Sequence, residues 1–135
     1  MADTIGVGTP KSIGDLLNVL FRHGIPAEKL AIHCHDTYGQ AVANIAQAVQ
    51  MGIRCVDSSV AGLGGCQYAR GATGNVATEE VIYLLHGLGY TTGVDLYRLI
   101  DASQFITDVL KRPNMSKVTQ AFQSREHTRR ATNDS

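Results

Sequence analysis

A strand–helix–strand pattern is clearest in LAIHCHDTYGQAVANIAQAVQMGIRCVDSSV, residues 30–60. Residues 30–35 form a compact segment that predicts a strand. Residues 39–51 are rich in Ala, Val and Ile, which predicts a helix buried along one side, and Gly52 ends it. Residues 54–60 predict a second short strand. Short buried strands that alternate with helices are typical of parallel sheets built from right-handed βαβ units.

The same alternation continues on both sides of this stretch. Residues 3–7 indicate the end of an earlier strand, and residues 13–21 predict a helix that Ser12 caps, with Asp15 three residues on, and that Gly24 ends. Residues 78–87 predict another helix, and residues 95–110 predict one or two more. The predicted fold class is therefore α/β. We expect one domain over residues 1–117, followed by a polar tail over residues 118–135 that is frayed from residue 124.

Composition excludes several classes of partner. Lys plus Arg and Asp plus Glu each number 12, so we expect no nucleic-acid partner and no acidic membrane surface. No apolar run approaches the roughly 18 residues that span a bilayer, and the first residues do not resemble a secretory leader. The three cysteines are an odd, scattered number, which favours a reducing compartment over a disulfide framework. They form no Cys-x-x-Cys pair, so the sequence does not support a structural zinc site.

Two histidines are the first candidates for chemistry. His33 and His35 are two residues apart on a predicted strand, so both imidazoles project from one face. Neutral imidazoles bind divalent cations, and α/β folds place ligands at the carboxyl ends of their strands. The alternative is one buried structural histidine and one surface histidine, since two ligands alone do not make a metal site. Asp57, on the next strand, is expected to be a structural carboxylate.

The second candidate is the glycine-rich segment GLGGCQYARGATGN, residues 62–75. Cys66 follows Gly65 in this predicted loop, where exposure and nearby backbone N–H groups favour a reactive thiol. The alternative is a loop cysteine without a role. A phosphate-binding loop is weakly supported, because the Gly-Lys-Ser/Thr ending is lacking. Asn75 suits either an oxygen ligand or a helix N-cap, and these residues by themselves favour the cap.

Three segments resemble a known enzyme family. Residues 31–44, AIHCHDTYGQAVAN, resemble the His-x-His-Asp segment of metal-dependent Claisen-type enzymes built on TIM barrels. Residues 56–80, VDSSVAGLGGCQYARGATGNVATEE, resemble the glycine loop of 3-hydroxy-3-methylglutaryl-CoA lyases, and residues 3–10, DTIGVGTP, resemble the same lyases. The resemblance runs from residue 3 to about residue 117. It implies the C-terminal part of a TIM (β/α)₈ barrel, about two and a half βα units plus C-terminal helices.

The resemblance assigns roles to particular residues. His33, His35 and Asn75 match the family's metal ligands, which replaces the cap interpretation of Asn75 and implies Mg²⁺ or Mn²⁺ as the cofactor. Cys66 matches the loop cysteine implicated in proton transfer, and His33 also lies close to the reacting centre in the family. Thr4 matches a position that helps to hold substrate.

The sequence also departs from the family pattern. Gln67 follows the loop cysteine where the lyases usually have proline. The family's remaining metal ligand, an aspartate on the first barrel strand, has no counterpart here, and neither does the arginine beside it. A site with fewer ligands and no clamp on developing charge is expected to be weaker.

The implied reaction is cleavage of 3-hydroxy-3-methylglutaryl-CoA to acetyl-CoA and acetoacetate, as in leucine degradation and ketone-body formation. One alternative is a catalytically inactive half-barrel that acts as an interaction or assembly module. Another is a lyase whose first half is a separate chain. We expect an acyl-CoA substrate, and either a homo-oligomer or association with the missing barrel half. The expected location is the cytoplasm in a bacterium or the mitochondrial matrix in a eukaryote.

Overall fold

The computed structural model describes residues 1–65 and 74–133, with side chains up to residue 125. The chain divides into two compact units, Met1–Ser59 with Leu63–Val76, and Val60–Gly62 with Ala77–Ser135. The first unit contains β1 (Ala2–Asp3), α1 (Pro10–Arg22), a 3₁₀ turn (Ala27–Lys29), β2 (Ala31–Cys34), α2 (Ala41–Gln50) and β3 (Cys55–Asp57). The second contains a 3₁₀ turn (Val60–Gly62), α3 (Thr78–Gly87), α4 (Leu96–Leu110) and α5 (Lys117–Asn133).

The three strands of the first unit form a parallel sheet in the order β1-β2-β3. This confirms the predicted alternation of strands and helices and its parallel sheet. Ala2 lies opposite His33, and His33 lies opposite Asp57 on the other side. The core of this unit includes fully or almost fully buried side chains from α1, β2, α2 and the segment before β3, namely Leu17, Ile32, Ile45 and Ile53. Each such side chain contributes about 1.5–3 kcal/mol of burial free energy.

The start of α1 differs from the prediction. Thr9, not Ser12, is the N-cap residue, and Ser12 is the third residue of the helix. The two side chains form a reciprocal capping box, in which Ser12 Oγ accepts the Thr9 N–H at 2.8 Å and Thr9 Oγ1 accepts the Ser12 N–H at 3.4 Å. Pro10 explains the earlier start, because a proline in the first turn sacrifices no intrahelical hydrogen bond.

The C-terminal segment also differs from the prediction, since α5 continues to Asn133 where a frayed polar tail was expected. Its first turn is anchored by hydrogen bonds that the weak periodicity does not reveal. Ser116 Oγ accepts the Thr119 N–H at 3.0 Å, as an N-cap side chain does, and Glu80 Oε1 accepts the Lys117 N–H at 2.6 Å. In the part of the chain that the structure describes, no helix is both long and apolar enough to cross a membrane.

Candidate metal and active site

The carboxyl end of β2 presents both histidines on one side of the sheet. The ring centroids of His33 and His35 lie 5.2 Å apart with their planes inclined by 54°. Between and before them, Cys34 and Ile32 alternate to the other face and are each 1% exposed. The strand period therefore brings the two imidazoles together, as the sequence predicts.

Cys34, by contrast, is placed where its thiol is inert. Burial, followed by the negative charges of Asp3 and Asp36, raises the pKa of the Cys34 thiol to about 12. The thiol is therefore protonated at neutral pH and does not act as a nucleophile.

Backbone pairing places Asn75 beside His35. Residues 74–76 run antiparallel to the end of β2, with His35 and Asn75 as bridge partners. Asp36 N–H donates to the carbonyl of Gly74 at 3.1 Å, and Val76 N–H donates to the carbonyl of Cys34 at 3.2 Å. Two residues that are 40 positions apart in the chain thus become neighbours at the carboxyl edge of the sheet.

The N-cap interpretation of Asn75 is wrong, because α3 begins at Thr78 and its N-cap residue is Ala77. The Asn75 amide instead donates from Nδ2 to the carbonyl oxygen of Leu63 at 3.0 Å. That bond fixes the amide plane and leaves Oδ1 available as an acceptor or ligand atom. Gly64 makes this arrangement possible, since a Cβ at its position would lie 2.6 Å from Asn75 Nδ2.

The donor atoms at this edge fit a divalent cation. His35 is 8% exposed, and within residues 1–65 and 74–125 neither His35 Nδ1 nor Asn75 Oδ1 has a hydrogen-bond partner, although both atoms are buried. A buried polar atom without a partner costs about 1–3 kcal/mol, which a bound ligand would offset. The described residues contain no group of three His, Cys, Asp or Glu side chains suited to a metal. This edge therefore supplies imidazole nitrogens and one amide oxygen, a set open to oxygen ligands from elsewhere.

The remaining predicted site residues have different outcomes. Thr4 is exposed and directly follows β1, beside the Asp3 carbonyl that accepts the His35 N–H at 3.4 Å. It therefore stands at the same edge of the sheet as the histidines. Cys66 lies outside the described residues.

Asp57, which the sequence predicts to be a structural carboxylate, lies next to the site. Its Oδ2 lies 3.6 Å from His33 Nδ1, and the two residues are direct partners in the register of β2 and β3. The alternation of side chains along β3 predicts on which face of that strand Asp57 lies. The sequence does not show the register between β2 and β3, which determines that Asp57 faces His33.

Together these features define a class, namely a parallel α/β protein with imidazole and amide donors clustered at the carboxyl ends of its strands. The description can be made more specific by comparison with known proteins. The model of the HMGL-like family matches residues 1–106, and the chain belongs to this family.

Individual relatives agree with the family match. Over 121 residues the chain is 57% identical to the mitochondrial hydroxymethylglutaryl-CoA lyase of Mus musculus, which is 90% of this chain and 37% of that protein. It is also 57% identical to the cytoplasmic 3-hydroxy-3-methylglutaryl-CoA lyase of the same species, again over 90% of this chain and over 35% of the relative. The chain thus spans little more than a third of the length of these relatives.

Solved structures give the same result. The hydroxymethylglutaryl-CoA lyase of Pseudomonas aeruginosa matches with a TM-score of 0.87 and 52% identity, over 92% of this chain and 41% of that one. An HMG-CoA lyase of Acinetobacter baumannii, solved in complex with coenzyme A and 3-methylmalate, matches with a TM-score of 0.81 and 34% identity, over 89% of this chain and 39% of that one. The α/β architecture with parallel strands is therefore that of HMG-CoA lyases.

Proposed function

We propose that this chain is the C-terminal part of a hydroxymethylglutaryl-CoA lyase, which cleaves 3-hydroxy-3-methylglutaryl-CoA to acetyl-CoA and acetoacetate. The observation that carries the proposal is the cluster of His33, His35 and Asn75 at the carboxyl edge of the sheet. Two of its buried atoms, His35 Nδ1 and Asn75 Oδ1, have no partner among the described residues. The cluster occurs in a chain that is 57% identical to a lyase over the matched residues.

In the proposed site, His33, His35 and Asn75 hold Mg²⁺ or Mn²⁺. When bound, the cation would supply Lewis-acid chemistry that polarises the substrate oxygens and lowers the pKa of the tertiary hydroxyl. Thr4, exposed at the same edge, contacts the substrate.

The proposed reaction contains two proton transfers. A base beside the proposed cation, close to His33, takes the proton of the tertiary hydroxyl. The carbon–carbon bond then breaks, its electron pair moves into the enolate of acetyl-CoA, and the hydroxyl-bearing carbon becomes the ketone of acetoacetate. Cys66 donates its thiol proton to the enolate carbon, which completes acetyl-CoA. Cys34 does not replace Cys66 in this step, because its thiol is buried on the face of β2 opposite the two histidines.

We further propose that residues 1–117 are the C-terminal part of a TIM barrel, and that the active enzyme contains the other part. Both β1 and β3 are edge strands in the described sheet, which supports further strands on either side. The chain acts as a homo-oligomer or associates with the missing barrel half. An acyl-CoA substrate is supported by the related A. baumannii structure with coenzyme A.

The cellular setting follows from the proposed reaction. Relatives are named for mitochondria and for the cytoplasm. We propose the mitochondrial matrix for a eukaryotic source and the cytoplasm for a bacterial one, with roles in leucine degradation and ketone-body formation.

Separate substitutions of two cysteines, Cys66 and Cys55, provide a matched test of this function. The purified chain is assayed for acetoacetate release from 3-hydroxy-3-methylglutaryl-CoA with Mg²⁺, alone and mixed with the separately produced N-terminal part of the P. aeruginosa lyase. We expect Cys66→Ser to abolish release. Cys55→Ser, which alters an exposed cysteine on β3, should leave it unchanged. Release that is absent with both preparations, or that survives Cys66→Ser, would contradict the proposal.

A catalytically inactive assembly module is the second candidate. It is favoured by exposed apolar side chains on α4, where Phe105 is 68% and Val109 is 60% exposed. Such a module would bind the N-terminal part of the lyase without restoring acetoacetate release. The mixed assay described above therefore separates the two candidates.

A further inference from the structure

The exposed carboxylate of Asp57 faces the nitrogen of His33 that points along the sheet towards β3. Their Oδ2 and Nδ1 atoms are 3.6 Å apart, and the two residues are direct partners in the parallel register. This separation is longer than a direct N–H···O hydrogen bond, which spans about 2.7–3.2 Å. The Asp57 side chain is 58% exposed, so packed neighbours do not hold it away from the ring.

We propose that Asp57 is a positioning residue that keeps the proton of the neutral His33 ring on Nδ1 and thereby presents the lone pair of Nε2 to the cation. A carboxylate has no proton to donate at neutral pH, so it pairs only with an imidazole nitrogen that carries hydrogen. The other ring nitrogen is then unprotonated and free to act as a ligand. This inference rests on the proposed function, because it assigns Asp57 a role towards the same cation.

The two histidines are unequal in this respect. The Nδ1 atom of His35 is buried and has no hydrogen-bond partner among the described residues, whereas Nδ1 of His33 faces a carboxylate. The ring of His33 therefore has an orienting partner of the kind that metal-binding histidines commonly use. The expected ligand atom of His33 is Nε2.

The position of Asp57 also makes the role testable without loss of the fold. Both side chains of the pair are substantially exposed, at 35% for His33 and 58% for Asp57, so neither is part of the buried core. Asp57→Leu removes the acceptor, while Asp57→Asn retains an amide oxygen that still accepts the Nδ1–H bond. Asp15→Leu, which removes an exposed carboxylate paired only with Lys11 in the described structure, is the control.

The first measurement is the tautomer of His33 in the full, metal-free chain. Long-range ¹H–¹⁵N correlation spectra at about pH 8.5, where an ordinary imidazole is neutral, identify which ring nitrogen carries hydrogen. The signals of His33 are assigned from their loss in His33→Gln. We expect the Nδ1–H form to dominate in the unmodified chain, in Asp57→Asn and in Asp15→Leu, and the Nε2–H form to rise in Asp57→Leu. A dominant Nε2–H form in the unmodified chain would overturn the proposal without any variant.

The second measurement is the affinity for Mn²⁺, followed by the loss of the free-ion electron paramagnetic resonance signal. We expect Asp57→Leu to weaken binding by about 10–100-fold, as loss of an orienting partner typically does, and Asp57→Asn to restore most of the affinity. Unchanged binding and an unchanged tautomer in Asp57→Leu would refute the positioning role while leaving the metal site intact. Absence of Mn²⁺ binding in the unmodified chain, together with a tautomer that Asp57 controls, would instead refute the proposed function.

Discussion

Replacing Gly64 by alanine tests whether the Asn75 amide is a ligand in the proposed cation site. Gly64 has a φ of +98°, and a Cβ built there would lie 2.6 Å from Asn75 Nδ2. Ordinary van der Waals contact begins at 3.4 Å, so the amide must move by the difference, about 0.8 Å. Metal sites tolerate displacements of about 0.2 Å in their ligand distances, so this shift removes Oδ1 from the coordination sphere.

The expected magnitude is a loss of Mn²⁺ affinity of about tenfold or more, which corresponds to about 1.4 kcal/mol. Stability also falls by about 1–2 kcal/mol, because a non-glycine residue is forced into the left-handed region. Circular dichroism on the same samples shows that the variant is folded at the temperature of the titration. The two effects are thereby measured separately.

Gly65→Ala is the matched control for this substitution. Gly65 is adjacent in the chain, is exposed and lacks a left-handed φ, and none of the described residues lies within 4 Å of the position of an added Cβ. We expect its Mn²⁺ affinity to equal that of the unmodified chain. Equal affinities for Gly64→Ala and Gly65→Ala, with both variants folded, would show that Asn75 does not bind the cation.

Three further predictions concern buried groups. The Ala61 N–H donates to both carboxylate oxygens of Glu79, at 3.0 and 3.1 Å. Glu79→Ala removes this acceptor and should lower the free energy of unfolding in urea by about 1–3 kcal/mol. Glu79→Gln keeps an acceptor and should lower it less. Ala61 has a φ of 58°, in the left-handed region that strains a non-glycine residue. Ala61→Gly relieves this strain at some entropic cost and should raise the free energy of unfolding by roughly 0.5–1 kcal/mol. A destabilised variant would contradict this. Cys34, with a pKa of about 12, should resist iodoacetamide at pH 8 while exposed Cys55 is alkylated, as mass spectrometry of the peptides will show. The same raised pKa favours the protonated thiol in the fold, so this contribution to stability is complete below about pH 9 and falls as the pH rises towards 12.

The order of the elements could be predicted because each is encoded locally. Apolar periodicity identifies α1 and α2, and short compact segments between loops identify β2 and β3, without knowledge of their neighbours. The errors occurred where polar side chains set the boundaries. Thr9 rather than Ser12 caps α1, and the first turn of α5 is held by Ser116 and by Glu80, which is distant in sequence.

The proposed site could be predicted only in part, for a related reason. His33 and His35 are two residues apart on one strand, so alternation alone places both rings on one face. The positions of Asn75 and Asp57 depend on the partners that the backbone selects, and a sequence does not state a register. Residue-level reasoning therefore preferred a cap for Asn75 and a structural role for Asp57.

The donors of the proposed site are consequently held by backbone pairing more than by contacts among their own side chains. Asn75 is held beside His35 because residues 74–76 pair with the end of β2, and Asp57 faces His33 because β3 pairs with β2 in one register. A shift of one residue in either pairing would turn the side chain to the opposite face. The cation site and the sheet are therefore coupled: a cation that binds these donors stabilises the register, by an amount that grows with the free cation concentration relative to its dissociation constant. Cation-dependent protection of the amide of Val76, whose N–H donates to the Cys34 carbonyl, is the local signature of that coupling in hydrogen exchange.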